Sequence, residues 1–244
     1  MNYKNLYIYH HLGLGDHFIC NAIIREYSGK YARVVLPTKK RNCMTVAAMY
    51  NDLKNVFLEP VANDKEAVNK ERRYAQSGYE ILRLGESLVD INWPIFLRKI
   101  RRKILKSRYH WQDRFYLDAK MNPEDQYTKF YLPRNLQREH QLFEKLGIAD
   151  NEAFIFIHDD SIRGYNMKLI NPALRIIRAT PNLTENALDF LGIIEKAVEV
   201  HCIDSSFLCL IDHIGIRKDN LYYHINVRPS VRHPKIYLSW IMVE

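Results

Sequence analysis

Near the start of the chain, the segment HHLGLGDHF brings a carboxylate, two glycines and three histidines together within a few residues. A carboxylate at the mouth of a helix can take a proton, so Asp16 is a candidate general base. Gly13 and Gly15 would let another molecule approach the backbone, because glycine has no Cβ. His10 and His11 are alternative bases. In the structural alternative, the glycines only make a strand-to-helix turn and Asp16 caps the helix.

A second polar segment, HDDSIRGYN, directly follows an apolar run. The guanidinium of Arg163 donates hydrogen bonds in a fixed fork that matches phosphate oxygens, and Ser161 could add a hydroxyl. Together with Gly164, these residues are candidates for gripping a diphosphate. The structural alternative is that Asp160 and Arg163 simply pair across a turn.

A third polar segment, Asp204-Ser205-Ser206, precedes an apolar helix in IDSSFLCLIDHIG. The start of a helix offers unpaired N–H groups and the positive end of a dipole, which suit a phosphate. In the structural alternative, Ser205 or Ser206 is a plain N-cap. Upstream, TPNLTENALDF predicts another helix entry, where Glu185 could accept hydrogen bonds from a ribose or a sugar.

Strands and helices must position these three segments, and hydrophobic periodicity predicts both. Strands are predicted at 5–10, 32–37, 55–61, 79–85, 154–160, 174–180, 200–206 and 221–227, with helices at 16–27, 41–50, 64–76, 185–199 and 206–215. Strands that alternate with helices indicate right-handed crossovers and parallel sheets. In such sheets ligands bind beyond the carboxyl ends of the strands, where the three polar segments are predicted to lie.

The alternation is interrupted between residues 92 and 147, where Trp, Arg and Lys are followed by helical segments. The simplest organisation is therefore an α/β domain over 1–90, a basic and helical joint over 91–150, and a second α/β domain over 151–244.

The charge of this 244-residue chain favours anionic partners, since 36 Lys and Arg against 28 Asp and Glu give a net charge of +8. The four cysteines show no C-x-x-C pair and no Cys/His ligand spacing, so they indicate neither a zinc site nor a disulfide framework. No apolar run approaches the length of a membrane span, and the sequence predicts a cytoplasmic protein.

Seven of the basic residues lie within 98–108, inside the longer segment 93–111, WPIFLRKIRRKILKSRYHW. As a helix, this segment would combine an apolar side with surrounding cations, a pattern typical of a membrane-surface anchor or an anionic-partner site. A solvated helix that covers the joint is the structural alternative.

The order of these motifs resembles that of GT-B glycosyltransferases, most nearly the heptosyltransferase-like group and more distantly the fucosyltransferase-like enzymes. In the former, the first strand runs into a G-x-G-D loop, as GLGD does here. The second half of that group carries a phosphate-gripping loop after its first strand and a later strand that ends in Asp-(Ser/Thr)-x before a helix, which IDSS resembles.

The resemblance implies two Rossmann-like domains facing across a cleft, with the acceptor side first and the nucleotide-sugar side second. It implies that Asp16 is the general base beside an acceptor loop of His11, Gly13 and Gly15. By the same resemblance, the donor and its phosphates are held by a set of residues from the second half: Ser161, Arg163, Gly164, Glu185, Asp204, Ser205 and Ser206.

The function so implied is transfer of a sugar from a nucleotide-activated donor to a saccharide or lipid-linked acceptor, as in cell-envelope polysaccharide synthesis. The nucleotide sugar would be a co-substrate and no cofactor is expected. The sequence has no D-x-D at a strand end to hold Mg²⁺, so we expect metal-independent and inverting transfer, and peripheral contact of residues 93–111 with the inner face of the membrane.

Two other classes remain open from the sequence. One is a nucleic-acid-binding or regulatory α/β protein, although the aromatic residues that could stack on bases lie only at the edges of the basic segment. The other is an inactive relative that binds nucleotide or sugar, because DSSFLCLID lacks the Gly and His of the family's Asp-Thr-Gly-x-x-His-Leu string.

Overall fold

The computed structural model describes residues 4–85, 110–169, 173–216, 218–228 and 233–244. The chain divides into two compact units, Met1–Tyr131 and Leu132–Glu244. Each unit contains one parallel sheet with helices, so the predicted α/β class is confirmed. The boundary between the units falls inside the segment 91–150 that the sequence predicts as a joint.

The first unit is built on a four-stranded sheet. Its strands are β1 Asn5–Tyr9, β2 Arg33–Lys39, β3 Val56–Val61 and β4 Glu80–Arg83. Their order across the sheet is β3-β2-β1-β4, and every pair is parallel. The carboxyl ends of these strands therefore meet at one edge.

Helices connect and cover these strands. They are α1 Leu14–Ile19, α2 Asn21–Ser28, α3 Cys43–Met49, α4 Asp64–Gln76, α5 Trp111–Asp118 and α6 Asp125–Thr128. The apolar side chains of the strands and α4 bury a core around Tyr7, Val35 and Val61. The predicted helix at 64–76 is confirmed over its full length, and Asn63 caps it by accepting from the Glu66 N–H.

The helix predicted over 16–27 is in fact two helices that meet at Cys20, whose ψ of 3° departs from helical geometry. The Tyr116 hydroxyl of α5 donates to the Ile19 carbonyl at 2.7 Å. That carbonyl would otherwise accept from the N–H four residues on, so a contact distant in sequence satisfies the carbonyl at the break. Hydrophobic periodicity carries no information about such a contact.

The second unit is built on a five-stranded parallel sheet in the order β6-β5-β7-β8-β9. Its strands are β5 Phe154–His158, β6 Arg175–Arg178, β7 Glu199–Cys202, β8 Leu221–His224 and β9 Ile241–Val243. Its helices are α7 Leu136–Leu146, α8 Leu191–Lys196 and α9 Ser206–Ile214.

Two elements of this unit differ from the prediction. The helix expected over 185–199 is a 3-10 turn, Ala187–Phe190, followed by the short α8. The helix ends at Ala197, where the chain becomes extended two residues before β7 begins. Strand β9 was not predicted, because a three-residue strand is too short to show a period of two.

The two faces of the second sheet are covered differently. Phe156 points to the face covered by helices, where it contacts Phe190 and Phe207 with ring centroids 6.0 and 5.7 Å apart. Side chains alternate along a strand, so Ile155 and Ile157 lie on the opposite face. There they pack against Met167 and other side chains from loops rather than from a helix.

Within the described part of the chain, no helix is both long and apolar enough to cross a membrane. Residues 93–109 of the predicted basic segment lie outside the described residues, so contact of that segment with a membrane surface stays a prediction.

The carboxylate of Asp212 on α9 fixes the end of the second unit. It accepts hydrogen bonds from the Tyr237 and Leu238 N–H groups at 2.8 and 2.9 Å and from Trp240 Nε1 at 3.1 Å. Asp212 is buried, and these donors hold the segment that leads into β9.

We expect Asp212→Ala to lower the free energy of unfolding by about 2–4 kcal/mol, because it leaves buried donors without an acceptor. Urea denaturation would measure the change. The same substitution at the exposed Asp219 is the control and should change stability by less than about 0.5 kcal/mol. Equal effects of the two substitutions would contradict this role for Asp212.

Candidate functional site

The Asp16 carboxylate lies at the carboxyl edge of the first sheet. Helix α1 begins at Leu14, and Gly13 is its N-cap in an extended conformation, with φ −69° and ψ 145°. The carboxylate turns back toward Gly13 and accepts a hydrogen bond from its backbone N–H. A Cβ at Gly13 would lie 2.5 Å from Asp16 Oδ2, so glycine is required there for this contact.

Asp16 thus caps α1 from within the first turn, as in one half of a capping box. Capping of the helix by Asp16, which the sequence left open as a structural alternative, is therefore present in the structure. Gly15 is the second residue of α1 and belongs to the helix rather than to a turn. Asp16 can cap the helix and still act as a general base, because an N–H donor orients the carboxylate and leaves its other lone pairs accessible.

The surroundings of Asp16 favour its protonated form. Burial raises the pKa of the carboxyl to about 7, although the Gly13 N–H and the positive charge of Lys39 both oppose this rise. The negative charge of Asp64 adds to it. Asp64 itself accepts a hydrogen bond from the Tyr9 hydroxyl at 3.1 Å. A carboxyl with a pKa near neutrality is suited to act as a general base.

The neighbouring histidines differ in accessibility. His10 is fully buried and its Nδ1 lies 2.6 Å from the His11 carbonyl oxygen, so this nitrogen donates. Burial lowers the pKa of His10 to about 4. His17 is also buried, with its ring centroid 4.4 Å from that of His10. His11 is exposed. Of the two alternative bases considered from the sequence, His11 is the accessible one.

At the carboxyl edge of the second sheet, His158 and Ser205 join the ends of β5 and β7. His158 Nδ1 lies 2.9 Å from Ser205 Oγ, and the His158 ring stacks on Phe207 at 4.2 Å. Burial lowers the pKa of His158 to about 4. Ser205 is the N-cap of α9, where its Oγ accepts from the Leu208 N–H, and Ser206 is the first helical residue.

Arg228, which the sequence interpretation missed, lies beside Asp204. Its Nη1 donates to the Asp204 carbonyl oxygen at 2.7 Å, and its guanidinium lies 5.5 Å from the centroid of the Tyr165 ring. Arg228 therefore brings the loop after β5 and the loop after β7 together. Arg228 follows β8 by four residues, in a loop that leads into no predicted helix, so the rule that ligands bind at strand-to-helix loops did not point to it.

Two polar atoms at this contact are buried without a hydrogen-bond partner among the described residues: Arg228 Nε and Asp204 Oδ2. Burial raises the pKa of Asp204, while the charges of Arg228 and His233 oppose the rise. Buried polar atoms without partners are unusual, so this edge has hydrogen-bonding capacity that a bound ligand could use.

The loop after β5 is a closed turn. The backbones of Asp160 and Tyr165 exchange two hydrogen bonds, and Gly164 adopts a φ of +82° that favours glycine. Arg163 Nε lies 3.2 Å from Asp160 Oδ2, the ion pair that the sequence left open as an alternative. Ser161 and Arg163 are exposed, so neither is closed off from a ligand.

Glu185 lies exposed in the loop after β6. The helix entry there is formed by its neighbours: Asn186 caps the 3-10 turn by accepting from the Leu188 N–H, and the Thr184 hydroxyl donates to Asp189. Binding of a sugar or ribose by Glu185 stays a prediction.

Across the described segments, no group of three or more His, Cys, Asp or Glu side chains is arranged to hold a metal ion. Metal independence of the predicted reaction stays a prediction that turnover in a chelator would test.

No protein-family model and no curated protein matches the sequence. Among solved structures, the fold resembles that of the glycosyl transferase family 9 protein from Veillonella parvula DSM 2008. That comparison has a TM-score of 0.57 and 9% identity, and it covers 99% of this chain and 88% of the other. ADP-heptose LPS heptosyltransferase II from E. coli gives a TM-score of 0.47 at 9% identity over 91% and 84% of the two chains, a score too low to support an argument.

The comparison defines a class of fold: two parallel-sheet α/β units of the kind found in GT-B glycosyltransferases. The resemblance to the heptosyltransferase-like group that the sequence motifs suggested is therefore confirmed for the fold. At 9% identity the likeness shows the fold alone, and the activity of this chain is a proposal.

The raised pKa of Asp16 predicts a pH-dependent cost to stability. Its ordinary pKa of 3.8 applies in the unfolded chain, and its folded pKa is about 7. The folded state therefore binds this proton more tightly, so the associated stability is complete below pH 4 and is lost as the pH rises through 7.

Asp16→Asn removes this ionisation. The Tm of Asp16→Asn minus that of the wild type should therefore increase by at least about 3 °C from pH 5 to pH 8. Thermal denaturation at the two pH values measures this, with Asp150→Asn at an exposed position as the control. A difference between wild type and Asp16→Asn that does not change with pH would show that Asp16 is ionised normally.

Proposed function

We propose that this protein is a glycosyltransferase that moves a sugar from a nucleotide-activated donor to a hydroxyl of a saccharide or lipid-linked acceptor. The observation that carries the proposal is Asp16, a partly buried carboxylate at the carboxyl edge of a parallel sheet with a pKa of about 7. The likeness of the fold to a glycosyl transferase family 9 structure supports it.

On the acceptor side, Asp16 accepts the proton of the attacking hydroxyl. A base with a pKa near neutrality is deprotonated often enough to act, and still binds a proton strongly enough to remove it in the transition state. The Gly13 N–H holds the carboxylate in place. The positive charge of Lys39 favours the ionised form that receives the proton.

On the donor side, the leaving nucleoside diphosphate develops negative charge as the bond to the sugar breaks. Donors that point toward this charge lower the barrier. Arg228 and the N-terminus of α9, which Ser205 caps, supply a guanidinium and backbone N–H groups at one edge of the sheet. Ser161, Arg163 and Glu185 are exposed on the neighbouring loops and complete the proposed donor site.

The proposed displacement is direct: the acceptor oxygen forms its bond to the anomeric carbon as the phosphate oxygen leaves with the bonding electrons. Such a single displacement inverts the anomeric centre. We propose that charge on the leaving group is balanced by these protein donors without a metal ion, so the reaction should proceed in the presence of EDTA.

The donor site predicts nucleotide-dependent stabilisation of the second unit. One family of nucleoside diphosphates or nucleotide sugars should raise the Tm by about 5–10 °C at one hundred times its Kd. Arg228→Ala should remove most of this shift because it removes the guanidinium at the contact between two loops. Arg163→Ala should reduce the shift less, because Arg163 already pairs with Asp160.

The matched control is Arg175→Ala, which removes a guanidinium at the opposite end of the same sheet and should leave the ligand-induced shift unchanged. A thermal-shift panel of adenine, uracil, guanine and cytosine nucleotides provides the measurement. If no nucleotide shifts the Tm of the folded wild type, the proposed donor site is wrong. A role in nucleic-acid binding or in regulation then gains support.

The proposed role of Asp16 as general base predicts how turnover depends on pH. With the donor identified by the thermal-shift panel, release of nucleoside diphosphate should rise with pH through about 7 and then level off, because Asp16 must be deprotonated. Asp16→Asn should lower kcat by about 10²–10⁴-fold.

Asp64→Asn is the matched variant at the same edge. It removes a negative charge that raises the pKa of Asp16, so turnover should persist while the acidic limb moves to lower pH. Nucleotide binding without turnover in the wild type would identify an inactive nucleotide-binding relative. An unchanged profile in Asp16→Asn would exclude Asp16 as the base.

A further inference from the structure

A pocket of about 800 Å³ lies against the second sheet, on the face that no described helix covers. Its apolar wall is formed by Ile155 and Val243 from the strands and by Met167 and Leu174 from the loop between β5 and β6. Its size suits a small organic molecule. The residues of the proposed donor site, including Arg228 and Asp204, do not line it.

A chain of three hydrogen-bonded side chains lies in the wall of this pocket. Glu199 Oε2 is 3.0 Å from His201 Nε2, and His201 Nδ1 is 2.9 Å from His224 Nε2. The ring of His201 also stacks on Tyr222, with centroids 4.5 Å apart and planes 8° from parallel. All four side chains line the pocket. We call this arrangement the histidine chain.

The histidine chain fixes the tautomers of both rings. A carboxylate only accepts, so His201 must donate from Nε2 to Glu199. A neutral His201 then accepts at Nδ1, which requires His224 to donate from Nε2. The remaining nitrogen, His224 Nδ1, is left as a hydrogen-bond acceptor.

Burial favours the neutral form of both histidines. Burial lowers the pKa of His201, while the bond to Glu199 opposes this decrease. Burial and the charge of His201 lower the pKa of His224 to about 4. Within the described residues, no side chain or backbone group donates to His224 Nδ1. An oriented acceptor next to a pocket with apolar walls matches a ligand that carries one donor.

We propose that this pocket binds a small molecule that joins an aromatic or other apolar body to a hydroxyl group, and that the hydroxyl donates to His224 Nδ1. The apolar wall takes the body of the ligand, and the stacked rings of His201 and Tyr222 lie beside it. The histidine chain selects for the hydroxyl, since an ether of the same shape leaves the acceptor unpaired. This binding does not depend on glycosyl transfer.

The test compares 2-naphthol with 2-methoxynaphthalene, which has the same ring system but no donor. Ligand-observed NMR titration of the wild-type protein should give a Kd for 2-naphthol about tenfold lower than that for the ether. In His224→Phe, which keeps a ring but removes the acceptor, the two Kd values should become equal. His140→Phe, at an exposed position on α7, should keep the preference.

A second measurement uses only the wild type and so does not depend on the folding of a variant. Two-bond ¹H–¹⁵N spectra should show both His201 and His224 protonated at Nε2, with the His224 Nδ1 resonance moving on addition of 2-naphthol and not of the ether. Equal affinities in the wild type, a preference that persists in His224→Phe, or an unmoved Nδ1 resonance at saturation would each overturn the proposal.

Discussion

Parallel pairing is the constraint on which the described architecture depends. Every strand pair in both sheets is parallel, so the carboxyl ends of the strands in each unit lie along one edge. The loops that leave this edge are separated by tens of residues in sequence. They are brought together because a parallel crossover returns the chain to the same end of the sheet. Asp16 and Lys39 become neighbours for this reason, and so do His158 and Ser205.

The chemistry proposed at the first edge has a cost in stability. A carboxylate that is partly buried near another negative charge favours its protonated form, and burial is the larger cause at Asp16. The same burial that opposes ionisation brings the pKa close to neutral pH, where a base is most useful. Gly13 limits the cost by donating its N–H, and a side chain at that position would collide with the carboxylate.

The second sheet has two different faces, and each is associated with a different proposed site. The 3-10 turn Ala187–Phe190 and helix α9 cover the face that carries Phe156, and the N-terminus of α9 contributes to the proposed donor site. The opposite face is covered by loop residues such as Met167 and contains the pocket with the histidine chain. Because side chains alternate along a strand, neighbouring residues of β7 lie on opposite faces: His201 lines the pocket, while Val200 packs in the core on the other side.

The sequence by itself determined the α/β class, the strands that alternate with helices and the loops that carry candidate site residues. These features follow from local periodicity, which a linear chain displays directly: the apolar run before His158 and the apolar positions of α9 are readable without any tertiary contact. The capping alternatives for Asp16 and Ser205 and the ion pair of Asp160 with Arg163 were also visible, because their partners lie within three residues.

Tertiary structure alone decided the features that join distant residues. The Tyr116 hydroxyl meets the carbonyl at the break between α1 and α2, and Arg228 meets the Asp204 backbone. The pKa of Asp16 also depends on burial and on charges from β2 and α4. No local pattern records such contacts, since they arise only when the sheets assemble and set the distances and the solvent exposure of each group.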